Sequence, residues 1–381
     1  MVIEEQRFVR RHSVKDRIAT DLSTTIEANS LPAGSKLPSI RELCIQYSAS
    51  TITVRAALQN LCERGRIYSR HGAGFYVAAP EQPRVQSIGL IVPSSEDLFS
   101  AHLIAGAEEA CRAGGFQLVL AQSREELEIE TECVRDMVSF VAGAVIMPSK
   151  TKANYEGYIP LFANDIPFAF VDRSVHGLAC PLVCTDNEQG GYLAASHLLE
   201  QGIDDIYALV ERSSSGFSSA RLRLRGYRAA LENYGRPIDE RRILTSDAMW
   251  DEAGYILTQA LLASRQAGSP RRIGLFAIND YVARGAYRAV RKCGLRIPED
   301  VAVVGFDDLV AEHLDPPLTT VRQDVRAIGA RGVQIVIDRI QAAEDDDAEQ
   351  YCPPILLKPS LVVRDSSVLQ NERRLLASGV I

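Results

Sequence analysis

The 381-residue chain is predicted to be an α/β protein: a winged helix-turn-helix head followed by a two-lobed body of doubly wound parallel sheet. Three observations carry that prediction. Residues 37–77 hold two short capped helical patterns and a glycine-tipped hairpin. From residue 87 onward, apolar strand-like runs alternate with amphipathic helical ones, and the alternation restarts once. Between the two patterns lies a short polar segment bearing prolines, which reads as a linker. The boundaries so drawn are 1–78 for the head, 79–86 for the linker, 87–367 for the body and 368–381 for a C-terminal tail.

In the head, Ser39 precedes Ile-Arg-Glu. Its hydroxyl is placed to accept from the free N–H groups of a helix start while Glu42 reaches back, a reciprocal cap. Residues 47–50 turn the chain, and Ser50 caps a second helix over 51–64. Val54, Ala57, Leu58 and Leu61 form its inward stripe, and Thr51, Ile52, Thr53 and Arg55 lie at its outward N-terminal end. Gly65 stops that helix. Residues 67–70 and 75–77 then alternate like strands around His71-Gly-Ala-Gly74, the candidate wing.

In the body, strands are expected at 88–92, 116–121, 144–147 and 168–171, with helices at 103–113 and 127–137. The pattern restarts with a helix at 190–201, a strand at 206–210 and helices at 220–234 and 252–264. A strand at 274–278, a helix at 281–293 and a strand at 301–304 follow. Two successive lobes result, and ligands of such sheets bind at the carboxyl ends of the strands, so a cleft between the lobes is expected.

The whole chain is acidic, with 42 Lys and Arg against 49 Asp and Glu, a net charge of −7. The charge is not even. Residues 1–78 hold 11 basic against 7 acidic side chains, and the remainder 31 against 42, so electrostatic attraction to phosphate is confined to one end. No apolar run approaches the roughly 20 residues of a membrane span, and the N-terminus lacks the apolar core of an export signal. A cytoplasmic protein with no membrane partner is expected. Eight cysteines without a CxxC pair read as reduced, packed thiols. His176, Cys180 and Cys184 are close in sequence, but no fourth ligand is evident, so neither a metal nor a cofactor is expected.

Residues 14–77 resemble the DNA-binding domain of the GntR family of bacterial transcription regulators. The resemblance rests on Leu31-Pro-Ala-Gly34, Leu37-Pro-Ser39 with Arg41, Thr53-Val-Arg55 with Ala57-Leu58, and Gly72 and Gly74. It implies that Arg41 and Arg55 contact guanines, that Thr53 contacts DNA, and that the wing tip at His71 and Gly72 lies against the minor groove. Ser39, Ser50 and Thr51 complete the expected DNA-binding set. Thr51 departs from the family, standing where many members carry an arginine.

Six ordered strings in the body resemble the sensor domain of LacI-type repressors and, behind it, the periplasmic sugar-binding proteins. They are Thr185-Asp-Asn-Glu-Gln-Gly-Gly-Tyr192, Ser219-Ala-Arg-Leu-Arg-Leu-Arg-Gly-Tyr227, Ala277-Ile-Asn-Asp280, Ile297-Pro-Glu-Asp-Val301, Val304-Gly-Phe-Asp-Asp308 and Pro316-Pro-Leu-Thr-Thr-Val321. The LacI-type helix-turn-helix and hinge helix are absent, and the hybrid arrangement resembles that of arabinose-type repressors. A sugar presents hydroxyls that donate and accept, which suits carboxylates and a forked guanidinium at strand ends. By position in the matched strings, Asp172, Arg223, Asn279 and Asp307 are the implied hydroxyl-binding residues, with Asp280 and Asp308 as neighbouring alternatives. Ser94, Ser95 and Phe99 follow the first strand, where the family places pocket residues. Trp250, the sole tryptophan, suits either stacking on a sugar ring or simple packing.

The expected function is a DNA-binding repressor that holds a palindromic operator as a homodimer and responds to a sugar or sugar-derived effector. A purine or nucleoside effector is the alternative. An enzyme is disfavoured, because the LacI-like strings leave no room for an aminotransferase-like domain and no Gly-rich phosphate loop appears. A transport component is disfavoured by the head itself.

Overall fold

The structure, a computed structural model, describes residues 14–27, 31–32, 34–63, 66–70, 74–78, 86–149, 155–212, 216–265, 272–342 and 353–369. The wing tip with His71 and Gly72, the helix stop at Gly65, linker residues 79–85 and the tail from residue 370 lie outside them. The chain forms two compact units, Met1–Arg84 and Val85–Ile381.

In the first unit, helices α1 (Val14–Glu27), α2 (Ile40–Tyr47) and α3 (Thr51–Glu63) precede a hairpin of β1 (Ile67–Arg70) and β2 (Gly74–Val77). The hairpin is antiparallel, with Ile67 opposite Val77 and Arg70 opposite Gly74. Ile18, Leu22, Leu43, Val54, Leu58, Leu61, Ile67 and Val77 share one buried core, so every element contributes to it. The Leu-Pro-Ala-Gly segment is tied to the hairpin: Gly34 N–H donates to the Val77 carbonyl and Leu37 N–H to the Phe75 carbonyl, both at 2.9 Å. Between α2 and α3 the turn is made by Ser48, whose φ of 49° is left-handed.

The second unit contains two six-stranded sheets. The first lobe is built from β3 (Ser87–Val92), β4 (Gln117–Gln122), β5 (Gly143–Ile146), β6 (Phe168–Val171), β7 (Leu182–Thr185) and β13 (Ile355–Leu357), all parallel, in the order β13-β7-β6-β5-β3-β4. The second uses β8 (Ile206–Glu211), β9 (Ile243–Ser246), β10 (Ile273–Ala277), β11 (Val301–Asp307), β12 (Thr319–Arg322) and β14 (Ser360–Val362), in the order β14-β12-β11-β10-β8-β9. Only β14 is antiparallel to its neighbour. The expected doubly wound architecture is present.

Helices α4 (Leu98–Ala113), α5 (Leu127–Met137) and α6 (Tyr155–Ala163) belong to the first lobe. Helices α7 (Asn187–Glu200), α8 (Ser218–Asn233), α9 (Trp250–Ser264) and α10 (Asp280–Lys292) belong to the second. The lobes are not simply successive, as the sequence suggested. Helix α11 (Val325–Ala342), which follows the last parallel strand of the second lobe, packs on α4 and on β5 and β6 of the first. The chain therefore crosses between lobes three times: after β7, after β12 and between β13 and β14. Periodicity marks a helix but does not say which sheet will cover its apolar stripe. Helices also begin earlier than their apolar pattern, α4 at residue 98 and not 103, α7 at 187 and not 190, α10 at 280 and not 281: Asp97, Asp186 and Asn279 accept from the N–H groups of Ser100, Gln189 and Val282 and so start each helix ahead of its apolar stripe.

Three helix pairs touch through glycines. A Cβ on Gly191 or Gly226 (α7 and α8), or on Gly254 or Gly285 (α9 and α10), would lie within 1.9 Å of a facing carbonyl oxygen. At Gly106 and Gly329 (α4 and α11) the distances are 2.0 and 2.2 Å. Any side chain there would push the helices apart.

Candidate functional site

In the first unit the outward residues divide into those that build the turn and those left facing solvent. Ser39 N–H donates to Glu42 Oε2 at 2.6 Å, and Glu42 N–H donates to Ser39 Oγ at 3.3 Å, so the predicted reciprocal cap forms. Hydrogen bonding to the Ser39 side chain, and then to the Ser39 backbone N–H, holds the Glu42 carboxyl below its ordinary range. Thr53 N–H donates to Ser50 Oγ at 3.2 Å, and the two hydroxyls lie 2.8 Å apart. Ser39 and Ser50 thus orient helix starts. Arg41, Thr51, Ile52 and Arg55 are exposed on the same two helices, and Thr53 is half-buried.

The second unit holds a cavity of about 1600 Å³ whose lining comes from residues at or just beyond the ends of parallel strands. Pro93, Ser94 and Phe99 follow β3, Met147 and Ser149 follow β5, and Asp172 and Arg173 follow β6. From the other lobe, Glu211 ends β8, Asn279 follows β10 and Asp307 ends β11. Carboxyl-terminal strand ends are where such sheets bind ligands.

Asp172 is 5% exposed, with φ of 62°. Its Oδ2 accepts from Arg173 Nε at 3.1 Å, while its Oδ1 is buried without a hydrogen-bond partner. Arg173 is held further by both carboxylate oxygens of Glu125, at 3.1 and 3.2 Å, and by the Pro148 carbonyl at 3.1 Å. Its guanidinium lies 3.7 Å from the centre of the Phe217 ring, which belongs to the other lobe. Burial raises the Glu125 carboxyl above its ordinary range, and Arg173 opposes that shift.

Arg223 is the hub of the second lobe. Nε donates to Asn187 Oδ1 at 2.8 Å, Nη1 donates to the Ile278 carbonyl at 2.7 Å, and Asp307 Oδ1 stands 3.4 Å away. The Phe306 ring covers it at 3.7 Å. Asp307 has φ of 112°, a strained value for a residue with a side chain, and accepts from Gln323 Nε2 at 2.6 Å. Burial pushes its carboxyl upward, against the pull of Arg223. Asn279 uses its oxygen to cap α10 and turns its amide nitrogen toward Glu211 Oε2 at 3.5 Å. Glu211 Oε1 also accepts from the Trp250 N–H. Trp250 is 49% exposed and stacks on Tyr281 at 5.7 Å between ring centres.

The two alternative carboxylates do other work. Asp280 accepts from Thr320 Oγ1 at 2.6 Å and from Leu309 N–H at 2.9 Å, and Asp308 is paired with Arg322 at 2.6 Å and Arg364 at 2.7 Å. Neither lines the cavity. Ser94, Phe99, Asp172, Arg223, Trp250, Asn279 and Asp307 do. Ser95 does not: its N–H donates to Gln122 Oε1 at 3.2 Å.

The profile of the gntR family of bacterial regulatory proteins matches residues 14–77, and that of periplasmic binding protein-like domains matches residues 195–367. The arabinose metabolism transcriptional repressor of Geobacillus stearothermophilus is 27% identical over 362 residues, covering 92% of this chain and 96% of that protein. The transcriptional repressor PurR of Vibrio vulnificus is 30% identical over 285 residues, covering 74% of this chain and 81% of that one. A ribose-bound LacI family regulator from Enterococcus faecium superposes with a TM-score of 0.62 at 28% identity, over 74% of this chain and 99% of that one. The chain belongs to the LacI-type transcription regulators. Its head is of the GntR type. The CelR–cellobiose complex also superposes on this regulator, with a TM-score of 0.65 at 27% identity, over 84% of this chain and 91% of that one.

Among the cavity residues of this LacI-type regulator that the sequence did not mark as a site are Glu125, Arg173, Glu211 and Tyr281. Arg173 had a signal, as the neighbour of Asp172, and Glu211 had one as the carboxylate at a strand end. Glu125 and Tyr281 had none, because only the folded lobes bring them to the cavity. Of the close-spaced His176, Cys180 and Cys184, His176 lines the cavity, Cys184 is buried in β7 and Cys180 Sγ lies 3.8 Å from the Phe168 carbonyl. Burial pushes both thiols up, to about 12, which disfavours the thiolate a metal requires. Among the described residues no helix is long and apolar enough to cross a membrane.

Proposed function

We propose that this regulator is a cytoplasmic repressor without enzymatic activity. It binds a palindromic operator as a homodimer and releases it when a sugar or sugar-derived effector fills the cavity of its sensor unit. The observation that carries the effector reading is the buried, unpartnered Oδ1 of Asp172 beside a cavity lined also by Arg223 and Asp307. A buried oxygen without a partner is costly, and a ligand hydroxyl supplies the missing donor. Arg223 donates to a second hydroxyl and Asp307 accepts from a third, each already oriented by protein partners. Asn279 extends the polar face, and Ser94, Phe99 and Trp250 present hydroxyl and aromatic surface to the ring. The ribose and cellobiose held by the two superposable regulators, and the arabinose metabolism that the Geobacillus repressor governs, point to the same ligand class.

The stacked Trp250 and Tyr281 rings favour a second reading, a planar purine or nucleoside. On the DNA side, Arg41 and Arg55 are the guanine-reading pair, Thr51 and Thr53 contact the operator beside them, and Ser39 and Ser50 set the helix starts. His71 and Gly72 are assigned to the minor groove.

An effector moves the equilibrium only by binding the operator-released state more tightly than the bound one. The test is fluorescence anisotropy of the full chain on an operator selected from a random DNA pool, titrated with pentoses, hexoses, disaccharides, sugar phosphates and purine nucleosides. A sugar that releases the DNA in wild type but not in Asp172→Ala supports the reading. Release by a nucleoside alone replaces it with the second.

A further inference from the structure

Among the described residues, the two most exposed large hydrophobic side chains are both in the helix-turn-helix: Ile52 at 81% and Ile45 at 74%. Each shares a helix face with an arginine, Ile52 with Arg55 three residues on and Ile45 with Arg41 four residues back. The core of this unit is formed without them, by Leu43, Val54, Leu58 and Leu61 among others. Ile52 lies in the first turn of α3, flanked by the exposed Thr51, where a recognition helix brings side chains to base edges in the major groove.

We propose that Ile52 is a specificity-determining residue that reads the C5-methyl group of a thymine in the operator. The inference rests on the operator-binding reading above. An isoleucine offers no hydrogen bond, so it cannot discriminate by donors and acceptors. Thymine alone among the four bases presents a methyl group in the major groove, and apolar contact with it is the one base-specific interaction open to this side chain. A β-branched chain in a helix is held near one χ1 rotamer, so the contact forms with little loss of side-chain freedom. Three residues of helix rise about 4.5 Å and one base pair about 3.4 Å. The thymine therefore falls within one or two base pairs of the guanine that Arg55 reads.

The test uses the full chain and the operator it selects from a random pool. Duplexes are made in which each thymine in turn is replaced by uracil, which removes the methyl group and nothing else. Wild type is expected to lose about fourfold in affinity, the equivalent of one buried methyl group, at one thymine per half-site. Ile52→Ser is expected to bind the thymine and uracil duplexes alike at that position, and Ile52→Val to keep the preference. Indifference of wild type to uracil at every thymine overturns the proposal, as does a thymine preference that survives in Ile52→Ser. A pool that yields no enriched site overturns the operator-binding reading and this inference with it. An enriched site whose uracil substitutions are silent overturns the methyl assignment alone.

Discussion

The two sites of this regulator are built on opposite principles. In the helix-turn-helix, Arg41, Thr51 and Arg55 are exposed, and the hydrogen bonds that orient their helices run between residues three apart, from Ser39 to Glu42 and from Ser50 to Thr53. In the sensor cavity, Asp172, Arg223 and Asp307 are 5%, 7% and 8% exposed; Arg223 and Asp307 are held by residues distant in sequence, and Asp172 by its neighbour Arg173, which Glu125 holds from 48 positions away. Gln323, which donates to Asp307, is itself bonded to Thr185 across 138 positions and at two of the crossings between lobes. A surface site can change its side chains with little effect on the fold. A buried polar site cannot, because each group satisfies another.

The sharpest way to break that contrast is Arg223→Ala. It leaves Asp307, Asn187 and the Ile278 carbonyl without their guanidinium. Removing one member of a buried pair costs roughly 3–5 kcal/mol. Urea unfolding of the sensor should show a loss of that size together with loss of the effector response. A change below about 1 kcal/mol would mean that the cavity groups are independent, as surface groups are.

Asp172→Asn is milder. It keeps the shape of the side chain and one acceptor oxygen but loses the charge that pairs with Arg173 and that, on the proposed reading, accepts from an effector hydroxyl. Effector affinity measured by calorimetry should fall by about 1.5–3 kcal/mol, the worth of a hydrogen bond to a charged group. Unchanged affinity for an effector that releases wild type would remove Asp172 from the ligand contacts.

Arg55→Ala should act on the other side of the comparison alone. A bidentate arginine contributes about 1–3 kcal/mol of base discrimination, so operator affinity should drop tenfold or more, while unfolding stays within about 0.5 kcal/mol of wild type. Equal losses in binding and stability would show that Arg55 is part of the fold.

The same contrast explains what could be read from the amino-acid sequence. The caps at Ser39 and Ser50 and the inward stripe of α3 depend on spacings of three and four, which a linear chain displays. The strand ends bearing Asp172 and Asp307 are legible through the resemblance to LacI-type sensor domains; a carboxylate after an apolar run, taken alone, reads equally as the cap of the next helix. Nothing in the local pattern separated Asp307 and Asn279 from Asp308 and Asp280, because the difference lies in partners, Arg322 and Arg364 for one and Thr320 for the other. Nor did it assign α11 to the first lobe or bring Glu125 to Arg173, both of which follow from crossings that periodicity does not encode.

The smallest effect expected concerns the cap that opens α2. Ser39→Ala removes the acceptor for Glu42 N–H, and loss of such a cap typically costs about 1 kcal/mol. The pH dependence gives a second readout. Glu42 is held below its ordinary range by Ser39, so the folded head binds that proton less readily than the unfolded chain does. Its contribution is therefore fully present above the ordinary glutamate range and is lost as pH falls through the lowered folded value. Ser39→Ala should weaken the head near neutral pH and flatten that loss on the acid side, with Arg55-dependent operator recognition retained at temperatures where the head stays folded. An acid-side slope as steep in the variant as in wild type would show that Glu42 is held by the backbone N–H of residue 39, which the substitution keeps, and not by the serine hydroxyl. The short-range construction of the DNA-binding head would then rest, at this pair, on the backbone and not on the side chain that the sequence displays.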